Sequence, residues 1–244
     1  MLSSQIKSKT LLSSENCLKC SSGVAVIFNT ESVYHYYKNK GYRAYVDNAN
    51  YMSIDGAAIA LVFRLFGLNI TRFHGPDLMM HLLSNKSSVY KIIAGGSSSN
   101  RVLVSNWGLD CYMDLPFSND VDHIAEVVVE RLCDMNFDGS KDIVLFISLG
   151  LPKQEAVALR VWSLLKSANY IYLNKLLILP VGAAADFLTG EKKRAGIWWR
   201  RLGLEWLPRL VREPRMFPRV IRSFKGIFLF ARQELMRKFV ASRY

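Results

Sequence analysis

The 244-residue sequence lacks long apolar runs and is poor in cysteine. No run approaches the roughly 18 uninterrupted apolar residues that a membrane-spanning helix needs. Its four cysteines, Cys17, Cys20, Cys111 and Cys133, are too few for a disulfide framework in a chain of this length, so we expect reduced thiols. The first two have CxxC spacing without a second pair, which argues against a structural zinc. The polar N-terminal stretch shows no export signature, and these absences predict a cytoplasmic protein.

Several catalytic motifs are also missing. The sequence has neither a P-loop nor a GxGxxG, which disfavours a nucleoside triphosphatase or a standard dinucleotide-binding enzyme. It has no HExxH and no Ser/His/Asp pattern, and its four histidines are scattered. We therefore expect His74, the most loop-like of them, to have a packing or solvated role. We predict neither a metal site nor a cofactor.

Positive charge is concentrated at one end of the chain. The net charge is +12, and residues 191–244 hold 15 Lys and Arg against 4 Asp and Glu, which is +11 of that total. The preceding 190 residues are nearly neutral. This asymmetry predicts an anionic partner, which from charge alone can be nucleic acid, a phospholipid surface or a phosphorylated substrate.

Strand-like and helix-like patterns alternate along the chain. The strand-like segments are Ser22–Thr30, Tyr42–Asn50, Val89–Gly96, Leu109–Asp114, Asp142–Gly150 and the LLILP that precedes Gly182. Helical patterns separate most of them, which indicates an α/β fold with a mostly parallel sheet and flanking helices. We predict three parts: a loose N-terminal arm at 1–22, an α/β core at 23–190 and a basic, aromatic helical appendage at 191–244.

The appendage interleaves Trp and Phe with Arg and Lys, and Pro208, Pro214 and Pro218 divide it into short helices. Its last part, Phe217–Phe239, offers an apolar and a basic face together. That combination suits an interfacial helix on an anionic membrane. A helix pair packed on the core, with its arginines solvated, accounts for the same pattern.

Glycines and polar residues follow the predicted strands. Carboxyl ends of parallel strands meet at one edge of the sheet, where open α/β folds bind ligands. The stretch LGLPKQEAVALR (Leu149–Arg160) places a polar cluster at such an end, although an ordinary turn with Pro152 starting a helix also explains it. Asp55 can similarly be just an N-cap. Backbone N–H groups at four glycines are suited to holding a phosphate or diphosphate: Gly95, Gly96, Gly150 and Gly182.

Seven segments, read in order, resemble one protein family. They are IFNTES, DNANYMSIDG, HGPDL, IIAGG, SLGLPKQE, VGAAADFLTG and RAGIWWRRLGLEWLPRLVREPR. The series is similar to the WecG/TagA/CpsF family of bacterial glycosyltransferases over roughly Val24 to Arg219, and GLPKQE and GLEWLPRLVREP are its most specific parts. The resemblance implies a Rossmann-like core with a C-terminal appendage that reaches the membrane.

The resemblance also implies an inverting, metal-independent sugar transfer in cell-surface polysaccharide biosynthesis. The donor would be a UDP-sugar, commonly of N-acetylmannosamine or a related hexose, and the acceptor a polyprenyl-diphosphate-linked sugar. These substrates and an anionic membrane surface are the expected partners, with the protein peripheral on the inner face of the cell membrane. A homo-oligomer is compatible with this picture, and no nucleic-acid partner is expected from it.

Individual residues match the family pattern. Asp55 lies where the family has its proposed general base, and Asn29 where it has an Asn that would position the acceptor sugar. Gln154 and Glu155 match the PKQE motif, and Gln154 is the better candidate for direct contact with the donor. The other candidates from the resemblance are Gly95, Gly96, Gly182 and Asp186 for the donor pocket, and Arg209, Arg212, Arg215 and Arg219 for the diphosphate charge.

The sequence also departs from the family pattern. Ile27 stands where a Thr is usual, Ala183 and Ala185 replace the Gly and Phe of Gly-Gly-x-Phe-Asp, and Gly196 replaces the Pro of Arg-Ala-Pro. These changes predict a differently shaped pocket and a shifted donor specificity. Two other interpretations stay open: a nucleic-acid-binding protein that uses the basic segment, and a catalytically inactive family member.

Overall fold

The structure, a computed structural model, describes residues 2–13, 17, 22–84, 89–193, 195–196, 198–199 and 204–241. Its strands are β1 (Thr10–Leu11), β2 (Gly23–Phe28), β3 (Tyr51–Ile54), β4 (Val89–Gly95), β5 (Cys111–Met113), β6 (Asp142–Ser148) and β7 (Leu176–Pro180). Within the described residues these seven strands form one sheet in the order β1-β3-β2-β7-β6-β4-β5. Every neighbouring pair is parallel, as the sequence predicted.

Helices fill the connections between the strands. They are α1 (Leu2–Ser8), α2 (Thr30–Lys38), α3 (Lys40–Asn48), α4 (Ala57–Leu65), α5 (Gly75–Ser84), α6 (Val102–Trp107), α7 (Val121–Asp134), α8 (Lys153–Ser167), α9 (Ala184–Leu188), α10 (Trp206–Arg212) and α11 (Phe217–Ala241). Short 3₁₀ turns lie at Ser98–Arg101, Leu173–Lys175 and Pro214–Met216. Among these helices, none combines the length and the apolar character needed to cross a membrane.

Strand β2 shows why the sheet occupies the middle layer. All six of its residues are buried. Val24, Val26 and Phe28 join the hydrophobic core on one face, whereas Ala25 and Ile27 join the core on the other. Because successive side chains of a strand point to opposite faces, a strand this apolar has to be covered on both sides. Helices α5, α6 and α9 cover one face, and the other helices that reach a core cover the opposite face.

Two sequence predictions differ from the structure near the N-terminus. The strand predicted at Tyr42–Asn50 is helix α3. Its buried residues, Tyr42, Tyr45 and Val46, have the i, i+3, i+4 spacing of one helix face, and the Asn39 side chain caps its start. The aromatic and β-branched residues of this segment suggested a strand, but its buried residues recur with the spacing of a helix.

The loose arm predicted for residues 1–22 is wrong for residues 2–13. Leu2 and Ile6 of α1 are buried, and so is Leu12. Strand β1 extends the sheet by pairing with β3. Apolar side chains on one side of this short segment are enough to hold it against the core. Cys17 is buried, whereas Cys20 of the CxxC pair lies outside the described residues.

The described part of the appendage is packed on the core along helix α11. Gly226 brings α11 close to α2, and Phe230 is fully buried between the rings of Phe63 and Phe66, at centroid distances of 4.9 and 5.4 Å. Near its end, buried Glu234 accepts a hydrogen bond from Ser3 of α1. Helix α11 is therefore a structural element of the core as well as the carrier of the basic residues.

Candidate active site

The carboxyl ends of the strands open into a cavity of about 700 Å³. Residues that directly follow β2, β3, β4, β6 and β7 line it, together with residues of α10 and α11. Parallel strands place all these ends at one edge of the sheet, the usual ligand-binding edge of open α/β folds. The volume lies within the roughly 300–1,000 Å³ that small-molecule sites occupy.

Nine of the thirteen predicted site residues line this cavity: Asn29, Asp55, Gly96, Gly150, Gln154, Gly182, Asp186, Arg209 and Arg219. The other four, Gly95, Glu155, Arg212 and Arg215, do not. Arg212 is the last residue of α10 and Arg215 lies in the 3₁₀ turn between α10 and α11, and both are exposed. Arginines spaced three or four residues apart across such a turn do not all face one pocket.

Asp55 and His74 form a side-chain pair in the cavity. Asp55 follows β3, and its Oδ1 lies 2.7 Å from Nδ1 of His74. The backbone N–H of Gly75 donates to Oδ2 at 3.4 Å. The alternative interpretation of Asp55 as an N-cap is wrong, because α4 begins after Gly56 without a side-chain capping bond. The Asp55 carboxylate is directed to His74 instead.

Asn29 caps helix α2 from inside the cavity. Its Oδ1 accepts from the backbone N–H groups of Glu31 and Ser32 at 2.9 and 3.0 Å, and the Ser32 hydroxyl accepts from the Asn29 backbone N–H. This reciprocal arrangement fixes the side chain and uses its carbonyl oxygen. The amide Nδ2 is the group with which Asn29 would contact a substrate.

Gln154 ties the PKQE helix to the turn after β7. Its Oε1 accepts from the Gly182 backbone N–H at 2.8 Å, and its Nε2 donates to Oε1 of Glu155 at 2.8 Å. The Ser148 hydroxyl donates to the Gly182 carbonyl at 2.7 Å. Gln154 and Ser148 thus hold the turn from both sides, and the Gly182 N–H predicted to face a phosphate is engaged by Gln154. A direct contact between Gln154 and a donor stays a prediction.

Glu155 lies beneath the cavity rather than in its wall. The side chain is buried, and that burial raises the pKa of Glu155 to about 8 despite the hydrogen bond from Gln154. Its Oε2 has no hydrogen-bond partner within the part of the chain that the structure describes. At neutral pH the protonated form is therefore favoured. Glu155, which the motif predicted to bind substrate, does not line the cavity and accepts a hydrogen bond from Gln154.

Gly96 lets the backbone after β4 approach β6 closely. It has φ +86°, and an added Cβ would lie 2.2 Å from Nδ2 of Asn100 and 2.8 Å from the hydroxyl oxygen of Ser148. Both the positive φ and the lack of space require glycine. Gly96 and Ser148 consequently share one wall of the cavity.

Two arginines of the appendage reach the cavity from different helices. Arg209 of α10 stacks its guanidinium over the Phe187 ring at 5.4 Å, and Arg219 of α11 contacts Oε2 of Glu31 through Nε at 2.6 Å. Burial and the neighbouring Arg219 lower the pKa of Arg209, although nearby Glu213, Glu205 and Asp55 oppose the effect. Two like charges held together in a partly buried site favour an anion between them.

Glu31 anchors the start of α11 to the start of α2. The side chain is buried and pairs with Arg222 at 2.8 Å as well as with Arg219. Burial alone would raise the pKa of Glu31, but His35 and the two guanidinium groups hold it below its ordinary value. The ion pairs keep Arg219 at the cavity wall.

Two further residues singled out in the sequence, Asp186 and Ile27, are buried and line the cavity. Asp186 pairs with Lys192, and Ile27, which stands in place of the family's Thr, lines the cavity beside Gly75. Arg194 of the Arg-Ala-Gly segment lies outside the described residues. In the described part of the chain, no group of three or more His, Cys, Asp or Glu side chains is arranged to hold a metal ion.

A comparison with protein families shows the family of the chain. The model of the glycosyl transferase WecG/TagA/CpsF family matches residues 7–240. The chain belongs to this family. It is therefore a glycosyltransferase, and the suspected resemblance is confirmed. The family match extends beyond the Val24–Arg219 range recognised in the sequence, and it includes nearly all of α11.

Sequence reasoning missed the roles of two residues that line this cavity. His74 was expected to have a packing or solvated role, but it contacts Asp55 in the cavity. Glu31 lies in the IFNTES segment that carried the family resemblance, yet it had no assigned role. The sequence did contain a signal for each residue. His74 begins the HGPD loop directly before a helix, and Glu31 is an acidic residue two positions after Asn29.

Proposed function

We propose that this glycosyltransferase moves a sugar, N-acetylmannosamine or a related hexose, from a UDP-sugar to a polyprenyl-diphosphate-linked sugar in cell-surface polysaccharide biosynthesis. The observation that carries the proposal is the composition of the cavity. A carboxylate, Asp55, and two arginines, Arg209 and Arg219, line the same cavity. This arrangement provides a base for an acceptor hydroxyl and positive charge for a diphosphate.

The chemistry proposed for Asp55 is general-base catalysis of an inverting transfer. The acceptor hydroxyl oxygen attacks the anomeric carbon from the side opposite UDP, and the bond from that carbon to the diphosphate oxygen breaks. Asp55 takes the hydroxyl proton as the new glycosidic bond forms, and UDP leaves with the electron pair. Such a positioned base contributes about 10²- to 10⁴-fold to a rate.

Arg209 and Arg219 are the proposed stabilisers of the leaving diphosphate. Charge grows on the diphosphate oxygens as the bond breaks, and pre-placed cations stabilise it. The planar guanidinium can donate two hydrogen bonds to neighbouring phosphate oxygens. Anchoring of Arg219 by buried Glu31 supports this role, because the arginine is held at the wall before a substrate arrives.

The remaining pocket residues are proposed to shape the two substrate sites. Asn29 offers Nδ2 to the acceptor sugar, while Gly96, Gly150, Gly182 and Asp186 border the donor. Ile27 and Ala183, which replace a Thr and a Gly of the family pattern, line the same cavity. We propose that they alter donor preference within the family rather than abolish transfer.

The exposed face of α11 is the proposed membrane contact. Five large apolar side chains recur on it at spacings of three, four or seven residues, which keep them on one side of the helix. Each is at least 39 % exposed: Phe217, Ile221, Phe224, Phe228 and Leu235. Exposed Lys225 and Arg232 lie on the same helix. Apolar side chains at the boundary with cations near the headgroups suit peripheral binding to an anionic inner leaflet.

The catalytic proposal is tested by sugar transfer to a short-chain lipid-diphosphate sugar, with a panel of UDP-sugars and a chelator present. We expect Asp55→Asn to lower kcat at least about 100-fold because it removes the base. Asp134→Asn, at the exposed end of α7, is the matched control and should keep the wild-type rate. Wild-type turnover by Asp55→Asn would show that the proposed base is wrong, and no UDP binding by the wild type would favour an inactive member.

The membrane proposal is tested by sedimentation with anionic vesicles. Phe228→Ser combined with Leu235→Ser should weaken binding, whereas Phe117→Ser, an exposed aromatic residue outside the appendage, should not. Equal binding by the two proteins would contradict the assigned face. A steep salt-dependent affinity for nucleic acid without vesicle binding would favour the nucleic-acid interpretation.

A further inference from the structure

We infer that His74 is a positioning residue for the transfer reaction: it holds the Asp55 carboxylate in the orientation in which that group accepts the proton of the acceptor hydroxyl. The inference rests on the proposed function, because it assigns the base to Asp55. It adds a residue for which the sequence predicted a packing or solvated role. The juxtaposition of the two side chains inside the cavity carries the argument.

The contact between the two side chains has the geometry of a strong hydrogen bond. Nδ1 of His74 lies 2.7 Å from Oδ1 of Asp55, the short distance typical of a bond to an ionised carboxylate. The last torsion of an Asp side chain is broad, so a free carboxylate samples many orientations. A donor fixed at Oδ1 removes that freedom. Oδ2 accepts from the Gly75 N–H at 3.4 Å and has a further lone pair with which to meet the substrate.

The exposures of the pair indicate which member reacts. The Asp55 side chain is 29 % exposed and that of His74 is 13 % exposed, although both line the cavity. The carboxylate is the more accessible of the two groups. Histidine therefore lies behind the carboxylate, as a positioning group does, and the substrate meets Asp55 first.

Backbone contacts deliver His74 to this position. The residues before it run parallel to the end of β3: Ile54 and Arg72 form a bridge, and the Phe73 N–H donates to the Ile54 carbonyl at 3.0 Å. The Ser53 hydroxyl donates to the Phe73 carbonyl at 2.6 Å. Because Asp55 directly follows the same strand, one set of hydrogen bonds fixes both partners. Such rigid support is what a precisely oriented catalytic group requires.

The test compares two replacements of His74 in full-length protein. His74→Phe keeps a ring but removes the donor, and His74→Asn keeps an N–H near the place of Nδ1. We expect His74→Phe to lower kcat about 10- to 100-fold, the effect of one hydrogen bond to an ionised group, with KM for both substrates changed less than about 3-fold. His74→Asn should recover most of the lost rate. UDP binding and thermal unfolding of each variant check that the pocket is intact.

A double-mutant cycle separates this role from a general structural one. If His74 acts through Asp55, His74→Phe should cause no further loss of kcat in the Asp55→Asn background. Wild-type kcat in His74→Phe, equal losses in His74→Phe and His74→Asn, or a full additional loss in the double mutant would each overturn the inference. Full activity of Asp55→Asn would instead refute the base in the proposed function.

Discussion

Replacing Gly226 with alanine is expected to destabilise this glycosyltransferase, although a glycine-to-alanine change inside a helix ordinarily has the opposite effect. Gly226 is buried in the middle of α11, where that helix crosses α2. An added Cβ would lie 2.6 Å from the Tyr34 backbone nitrogen and 2.9 Å from the Thr30 carbonyl oxygen. Backbone atoms of a neighbouring helix cannot move aside cheaply, so the two helices would have to separate.

The magnitude follows from two opposing effects. Alanine gains about 1 kcal/mol of helix propensity over glycine. Overpacking in a close contact costs about 1–3 kcal/mol, and both short contacts involve backbone, so we take the upper end. The expected net loss is about 2 kcal/mol in the free energy of unfolding. For a chain of this size that corresponds to a Tm about 4–8 °C lower.

Gly41 is the matched control for this prediction. It lies in α3, is exposed and has only the Asn39 side chain near an added Cβ, at 3.4 Å. Gly41→Ala should therefore leave the protein as stable as the wild type or raise its stability by up to about 1 kcal/mol. Urea unfolding followed by circular dichroism measures both variants. Equal or greater stability for Gly226→Ala would refute the close packing of α11 on α2 as the basis of its attachment.

Two further predictions concern ionisable side chains beneath the cavity and in its wall. Glu155→Gln keeps the oxygen that accepts from Gln154 but removes an acid whose pKa in the folded protein is raised to about 8. In the wild type, the stability contributed by this acid is complete below about pH 4.5 and is lost as pH rises towards 8. Between those pH values, the free energy of unfolding of the variant, measured in urea, should rise relative to that of the wild type by up to about 1.4 kcal/mol per pH unit. A difference between the two proteins that does not change with pH would contradict the raised pKa of Glu155. Arg219→Ala should weaken UDP binding, measured by calorimetry, about 10-fold. Arg222→Ala should not, because Arg222 shares the Glu31 partner but does not line the cavity. Equal weakening by the two substitutions would show that Arg219 acts only through Glu31.

The sheet could be predicted from the sequence because strand burial leaves a local signal. Segments such as Val89–Gly95 and Asp142–Ser148 are apolar almost throughout, which is what burial on both faces of a parallel sheet requires. Their carboxyl ends then had to converge at one edge, so the positions of Gly96 and Gln154 in one pocket were also predictable. Asp55 follows β3, which was not predicted as a strand, and only the family resemblance singled it out as the base. Helix α3 was missed because its tyrosines suit either structure, and only the core that they face distinguishes the two.

The roles of single side chains depended on contacts that no local pattern records. His74 meets Asp55 across 19 residues of sequence, and Glu31 meets Arg219 and Arg222 from the other end of the chain. Gln154 and Glu155 are adjacent in one motif, yet one lines the cavity and the other lies beneath it as a buried acid. Periodicity and composition encode which face of an element is buried. Which buried polar group finds a partner, and which one faces the substrate, follows from the packing of segments that are distant in sequence.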